Sequence, residues 1–360
     1  MQVELMIYLY LALGLAMIGF NLVCAFYFKH QDKRMVATSK TFERIVKGQL
    51  TRTPVSQWHK RYLSRKLRHT RYLMAYDVML SELHEQDAQM TERYLKDVSS
   101  VFTYLSKVYG RRDKMQAAYF PYIIKKYALF LGECPRAVFD MLISLVNTKN
   151  LYCRENALEA LYSIGNCKEV VKALCILNNS EAYQNPAVMA DGLLSFTGDH
   201  KQLQRELFQR LLKFRPEIRT AILDYFLEKT DQWQKQMLEL MNSKAEDVVL
   251  GCVRYLGRYP YRPAEPALLA LAENEESVQG ELETEICAAL SAYPSQKTIN
   301  VLLKKLHRKS WQVCVQAAQS LESMGLGYME LVDEIDGPDR QAGEILQYLL
   351  ERKKREERGA

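Results

Sequence analysis

From Leu5 to Phe28 the chain runs for 24 residues without a charge, LMIYLYLALGLAMIGFNLVCAFYF. A helix that is apolar all round has no face for water, so it needs either a large protein core or a membrane around it. At 1.5 Å per residue this one is about 36 Å long, enough for a bilayer core with some tilt. Tyr8 and Tyr10 near one end and Tyr27 near the other suit the two interfaces. A cleaved leader fits less well: no basic region precedes the run, it is too long, and no small-x-small site follows it. Residues 1–28 are therefore read as a transmembrane helix. Ala12, Ala16 and Gly19 share one face and would admit a second helix closely.

The flanking charges set an orientation. Glu4 is the one charge before the segment, whereas Lys29, Lys33, Arg34, Lys40, Arg44 and Lys47 follow it. Positive charge stays on the cytoplasmic side, so the segment's start is expected outside and everything after Phe28 in the cytoplasm of a cell-membrane protein. The cysteines agree. All eight (24, 134, 153, 167, 175, 252, 287 and 314) lie apart, with no CxxC pair, and signal neither a zinc site nor a disulfide framework. They fall in apolar runs, as small core residues of a reducing compartment do.

Residues 29–72 carry 13 Lys and Arg against Asp32 and Glu43, a net of +11. With +6 overall and Glu4 ahead of the segment, residues 73–360 sum to −4. The six basic residues named above are thus expected at an anionic lipid surface, where each contributes about 1 kcal/mol. Nucleic acid is not expected as a partner, because a body that tracked a duplex would carry the positive charge along its length. The neck, 29–110, reads as helical. A first helix continues from the membrane to about Lys47, with Gly48 just past its end and Thr53-Pro54 breaking the chain. Ser56 caps a second, which places Trp58, Leu63, Leu67, Met74 and Val78 on one side. A third spans Ala88 to Tyr109, with apolar residues at 94, 95, 98, 101, 102, 105 and 108.

Beyond Gly110 the sequence repeats. The order of apolar residues in SWQVCVQAAQSLESMG (310–325) recurs in five stretches upstream, whose first core positions are Cys153, Val188, Ile218, Val248 and Leu282, with Val313 in the last copy. The intervals are 35, 30, 30, 34 and 31 residues. A small-residue position follows (Ala157, Gly192, Ile222, Cys252, Ile286, Ala317), then a closing one (Leu161, Phe196, Phe226, Leu256, Leu290, Leu321). KMQAAYFPY (114–122) is a diverged earlier copy. Stretches between the copies, such as PRAVFDMLISLVN (135–147) and QKTINVLLKKLHRK (296–309), supply a partner helix. Sixteen Gly and ten Pro are few for a fold of many tight turns. A period of 30–35 residues built of helix pairs means an all-α solenoid.

At this point the residues resemble the HEAT repeat family, whose second helix carries an acidic residue, a valine, a small residue and a leucine before an exit glycine. Asp247, Val248, Cys252, Leu256 and Gly257 fit that order, and Arg154 and Arg219 match its frequent arginine. Met189, Val249, Glu283 and Cys314 depart from it. The resemblance implies a right-handed α-solenoid of about six to seven helix pairs over 111–326. Residues 327–360 are expected to add a polar capping helix and charged tail.

No nucleotide loop, nucleophile elbow or kinase motif is present. His84-Glu85 is the one His-Glu pair, too little for a di-iron site, and His84 reads as an exposed helical residue. Asp333, Asp336 and Asp339 lack the spacing of a calcium loop. No cofactor, metal or catalytic residue is expected. Arg254, Arg258, Tyr259 and Tyr261, in RYLGRYPYRP, are of the types that anchor protein interfaces, or else they close the junction between repeats. Lys304, Lys305, His307, Arg308 and Lys309 read as a solvated helix end. The expected function is a non-enzymatic, membrane-tethered scaffold or adaptor that binds a protein partner, such as a membrane enzyme complex. The alternatives are a lipid-surface module acting through the neck and a HEAT-like lyase or glycosylase.

Overall fold

The computed structural model describes residues 2–50, 54–112, 114–128, 134–274 and 280–326, with Gly343 and Tyr348 beyond them. Among these residues there is no strand. Gly343 and Tyr348 apart, the capping helix expected over 327–360 lies outside the described residues, as does the Asp333–Asp339 turn.

Two compact units emerge, residues 1–182 with 196–203, and 183–195 with 204–360. The first begins with α1 (Gln2–Leu50), one helix of 49 residues. It continues through α2 (Gln57–Lys66), α3 (Thr70–Gln86), α4 (Ala88–Asp97), α5 (Ser99–Tyr109), α6 (Lys114–Ala117), α7 (Tyr119–Tyr127), α8 (Arg136–Val146), α9 (Leu151–Ile164) and α10 (Cys167–Asn178). The chain then forms α11 (Pro186–Leu194), α12 (His200–Phe208), α13 (Pro216–Lys229), α14 (Gln234–Leu240), α15 (Glu246–Arg258), α16 (Glu265–Glu273), α17 (Glu281–Leu290), α18 (Gln296–Lys305) and α19 (Trp311–Ser323).

Local chemistry fixes many of these ends. The side chains of Ser56, Asp87, Asn150, Asn166 and Ser295 each accept a hydrogen bond from a backbone N–H of the first turn that follows. Gly165 closes α9 in the left-handed region at φ 75°, and an added Cβ there would sit 2.8 Å from Thr197 Oγ1.

The neck differs from its sequence reading in three places. Helix α1 runs through Gly48 to Leu50, so that glycine lies inside the helix and does not follow it. The second helix is two, α2 and α3, meeting at a turn around Leu67–His69. Trp58 lies about 140° from Leu63 around α2 and faces water, and past the turn Leu73 and Tyr76 are buried where Met74 is exposed. The third is also two, broken at Val98, and Asp97 beside the break accepts a hydrogen bond from Val55 N–H at 3.1 Å.

Within the first unit α1 lies on α3 through Ser39, Phe42 and Val46, each 2% exposed or less, and the Phe42 ring meets Tyr76 edge-on at 5.6 Å. A second tie joins α3 to α7. Buried Asp77 accepts hydrogen bonds from Tyr119 and Tyr127 hydroxyls at 2.9 Å and from Lys126 Nζ at 2.8 Å. Burial and the Asp77 charge push both phenols well above their ordinary range. Further along, α7 rests on α9, and α8 on α9 and α10.

In the second unit the helices contact one another in a regular succession. Helix α11 meets α13, α13 meets α15, α15 meets α17 and α17 meets α19, while α14, α16 and α18 lie against α15, α17 and α19 respectively. The positions aligned by sequence are the ones buried: Ile218, Ile222 and Phe226; Val248, Cys252 and Leu256; Leu282, Ile286 and Leu290; Val313, Ala317 and Leu321. In the first unit Cys153, Ala157 and Leu161 of α9 do the same. The copy in α11 departs from this. Val188 is 46% exposed while Met189 and Leu193 are buried, so that copy is shifted by one residue. Pro186 starts α11, as Pro216 starts α13 without such a shift.

Candidate functional site

Residues 10–34 of α1 are exposed, except for the half-buried Cys24. Its most apolar 18-residue window has mean hydropathy 2.0 and no buried residue, which makes α1 long and apolar enough to cross a membrane. The same helix is half-wrapped further on, where Ser39, Phe42 and Val46 meet α3. No break separates the two regimes.

The six basic residues expected at a lipid surface all lie on α1 and all are exposed. At about 100° per residue, Lys29, Lys33, Lys40, Arg44 and Lys47 fall within roughly 60° of one another, on the side away from α3. Lys47 Nζ meets Glu43 at 2.6 Å, one turn back, a solvent-exposed pair that leaves the stripe positive. Arg34 stands apart, turned by about a quarter to a third of a circle toward the α3 side.

There it borders a crevice of about 810 Å³ between α1 and the start of α3. Helix α1 contributes Tyr27, Phe28, Arg34 and Met35, and α3 contributes Arg71, Tyr72 and Met74. Gln31, Asp32, Ala37 and Thr38 complete the lining, with Gln31 Nε2 bonded to Tyr27 Oη at 2.8 Å. The Arg71 guanidinium lies 4.6 Å from the centre of the Tyr72 ring and donates to that residue's hydroxyl at 3.1 Å. Lys66 Nζ sits 5.2 Å from the same ring. Arg71 and Tyr72 were not singled out by sequence reading, because their approach to α1 depends on the α2–α3 turn.

The second candidate cluster, in α15 and just after it, is woven into the fold. Arg254 reaches Glu281 at 2.6 Å and Glu285 at 3.0 Å on α17, and Arg258 reaches Glu228 at 2.6 Å on α13. Tyr259 Oη donates to Leu227 O at 2.9 Å, and the Tyr261 N–H donates to Tyr293 Oη at 3.0 Å. Arg219 makes a two-pronged pair with Asp247, at 2.7 and 2.8 Å, joining α13 to α15. A shallow groove of about 330 Å³ remains beside Arg254 and Arg258, floored by Gly257, Ala288 and Ala289.

The basic run 304–309 needs correction. Lys305 is no solvated helix end: its side chain is 5% exposed and its Nζ lies 2.7 Å from Glu283, itself 4% exposed, with Arg308 Nε 2.8 Å from the same oxygen. The missing signal was Glu283, 22 residues upstream on another helix. His84 is half-buried, not exposed. Among the described residues no three His, Cys, Asp or Glu side chains gather as metal ligands would.

No family model matches the chain, and no curated protein matches it. Two crystal structures of engineered proteins align with it. One has 14% identity over 89% of this chain and 98% of its own, with a TM-score of 0.34. The other has 15% identity over 69% and 95%, with a TM-score of 0.23. Likenesses of that strength carry no statement about arrangement or function.

Proposed function

We propose that the chain is a membrane-tethered, non-enzymatic scaffold: α1 spans the cell membrane once, residues after Phe28 lie in the cytoplasm, and the helical body binds a partner protein. One observation carries the reading. Helix α1 passes without a break from an uncovered apolar segment into residues that form the core of the first unit, so anchor and body are one rigid piece at their junction. On this reading the stripe of Lys29, Lys33, Lys40, Arg44 and Lys47 faces anionic lipid head groups and sets the orientation.

The helix pairs of the second unit are then turns of a HEAT-like α-solenoid. Their succession, the repeated buried positions and the Arg219–Asp247 bridge between neighbouring turns support this. Such arrays work by presenting long surfaces, and Arg254 and Arg258 with the groove beside them are the part of that surface where a partner would dock. Crosslinking in the native membrane, followed by purification of the full chain and of residues 29–360, tests the proposal. One specific membrane protein recovered at matching stoichiometry with the full chain alone supports it. Equal recovery with both forms removes the role of the tether, and recovery with neither removes the scaffold.

A further inference from the structure

The crevice between α1 and α3 has a chemistry the exposed basic stripe lacks. Its membrane-side end is made by Tyr27 and Phe28, the last residues of the uncharged segment, and Phe28 is 62% exposed. Its far end is Thr38, 11 residues on, about 16 Å along the helix. A site of that length begins where hydrocarbon ends and continues past the head-group layer. Two guanidinium groups from different helices border it, Arg34 and Arg71, and among the described residues neither forms an ion pair. That separates them from Arg136, Arg219, Arg254 and Arg258, each of which meets a carboxylate. Stacking on Tyr72 and the bond to its hydroxyl hold the Arg71 fork in place and leave its other N–H groups free to donate.

We propose that this crevice binds one anionic phospholipid, its phosphate held by Arg34 and Arg71 and its upper acyl carbons resting on Tyr27 and Phe28. Guanidinium forks match the two free oxygens of a phosphodiester, and an apolar floor continuous with the spanning segment suits the chain below it. Asp32 also lines the crevice, so the facing charges are two positive and one negative, and Lys66 adds a further positive charge from across the Tyr72 ring. The balance favours phosphatidylglycerol over zwitterionic phosphatidylethanolamine. The site rests on the membrane-spanning reading of α1.

The test is native mass spectrometry of the full chain in mild detergent, with phosphatidylglycerol or phosphatidylethanolamine added. The wild-type chain should retain one phosphatidylglycerol, and the zwitterionic lipid several-fold less. The double variant R34Q/R71Q should lose retention by about tenfold or more, as removing two charge-assisted contacts implies. K40Q/K47Q, which removes the same charge from the exposed stripe, should stay within about twofold of wild type. All four side chains are exposed, so circular dichroism should show both variants folded, and R34K/R71K should recover part of the binding. Equal losses in the two double variants, or none in either, overturn the site. So does inorganic phosphate at millimolar concentration displacing the lipid completely, because the phosphate alone would then account for binding. Failure of the spanning reading shows separately, as release of the wild-type chain from membranes by alkaline carbonate. A chain that stays inserted yet retains no lipid removes the crevice alone.

Discussion

Removing the Glu283 carboxylate should be the most damaging single change to charge in the second unit. Glu283 of α17 meets Lys305 of α18 at 2.7 Å and Arg308 at 2.8 Å, and the first two side chains are 4% and 5% exposed. Taking one partner from a buried pair typically costs about 3–5 kcal/mol, because the other is left charged and dry. Glu283→Gln falls in that range, since Lys305 cannot reach water without moving α18. The partners are not equivalent. Lys305→Met leaves Glu283 still paired with Arg308, which is 25% exposed, and should cost only about 1–2 kcal/mol. The double variant removes both buried charges, and Arg308 can turn to solvent, so it should be more stable than Glu283→Gln alone. In thermal unfolding of the full chain in detergent, about 2–4 °C per kcal/mol puts the Glu283→Gln loss at roughly 6–20 °C. The reasoning fails if Lys305→Met is as damaging as Glu283→Gln, or if the two effects simply add.

Three more changes follow from the packing. His59 is fully buried, its Nε2 sits 2.8 Å from Tyr94 Oη, its Nδ1 has no partner, and burial pushes its imidazole down to about 4. The folded state therefore holds the ring neutral while the unfolded chain takes the proton from about pH 6.5 downward, so stability is full above 6.5 and declines until about 4. Denaturant titration should show about 2 kcal/mol less stability at pH 5 than at pH 7.5 from this group, a difference that His59→Gln removes. Gly257→Ala should destabilise by about 1–2 kcal/mol even though alanine favours helix by about 1, because the new Cβ would sit 2.8 Å from the Ala289 Cα of α17, and that backbone cannot yield. A stabilised variant in the same titration contradicts the close α15–α17 approach. Phe42→Ala should cost about 3–5 kcal/mol by emptying the α1–α3 contact, and hydrogen exchange should rise in α3 with membrane insertion intact. Unchanged exchange in α3 refutes that contact.

Much of this body is written in periodicities, which are local. The buried triplet of α15, Val248, Cys252 and Leu256, stands at spacings of four, and four residues return to the same side of a helix wherever the neighbours lie. The same rule located the core of α13, α17 and α19. It slipped by one in α11, where Met189 is buried and Val188 is exposed. In the neck it overran two breaks. An apolar stripe says which side of one helix is buried and is silent about a turn within it, as at Leu67 and Val98. The candidate sites were legible in halves. The basic residues of α1 are adjacent in sequence, so their common stripe could be counted. Arg71 and Tyr72 join Arg34 across the α2–α3 turn, and Lys305 finds Glu283 on another helix, pairings that one helix's spacing does not contain.

The account stands on α1 crossing the membrane with the helical body in the cytoplasm. The direct measurement introduces single cysteines in a background without the native eight, one beside Glu4 and one at the exposed Lys149, and labels intact cells with a membrane-impermeant maleimide. The account predicts labelling near Glu4 in intact cells and labelling at position 149 only after permeabilisation, with the chain resisting alkaline carbonate throughout. Labelling at 149 in intact cells, or release of the chain by carbonate, would contradict it.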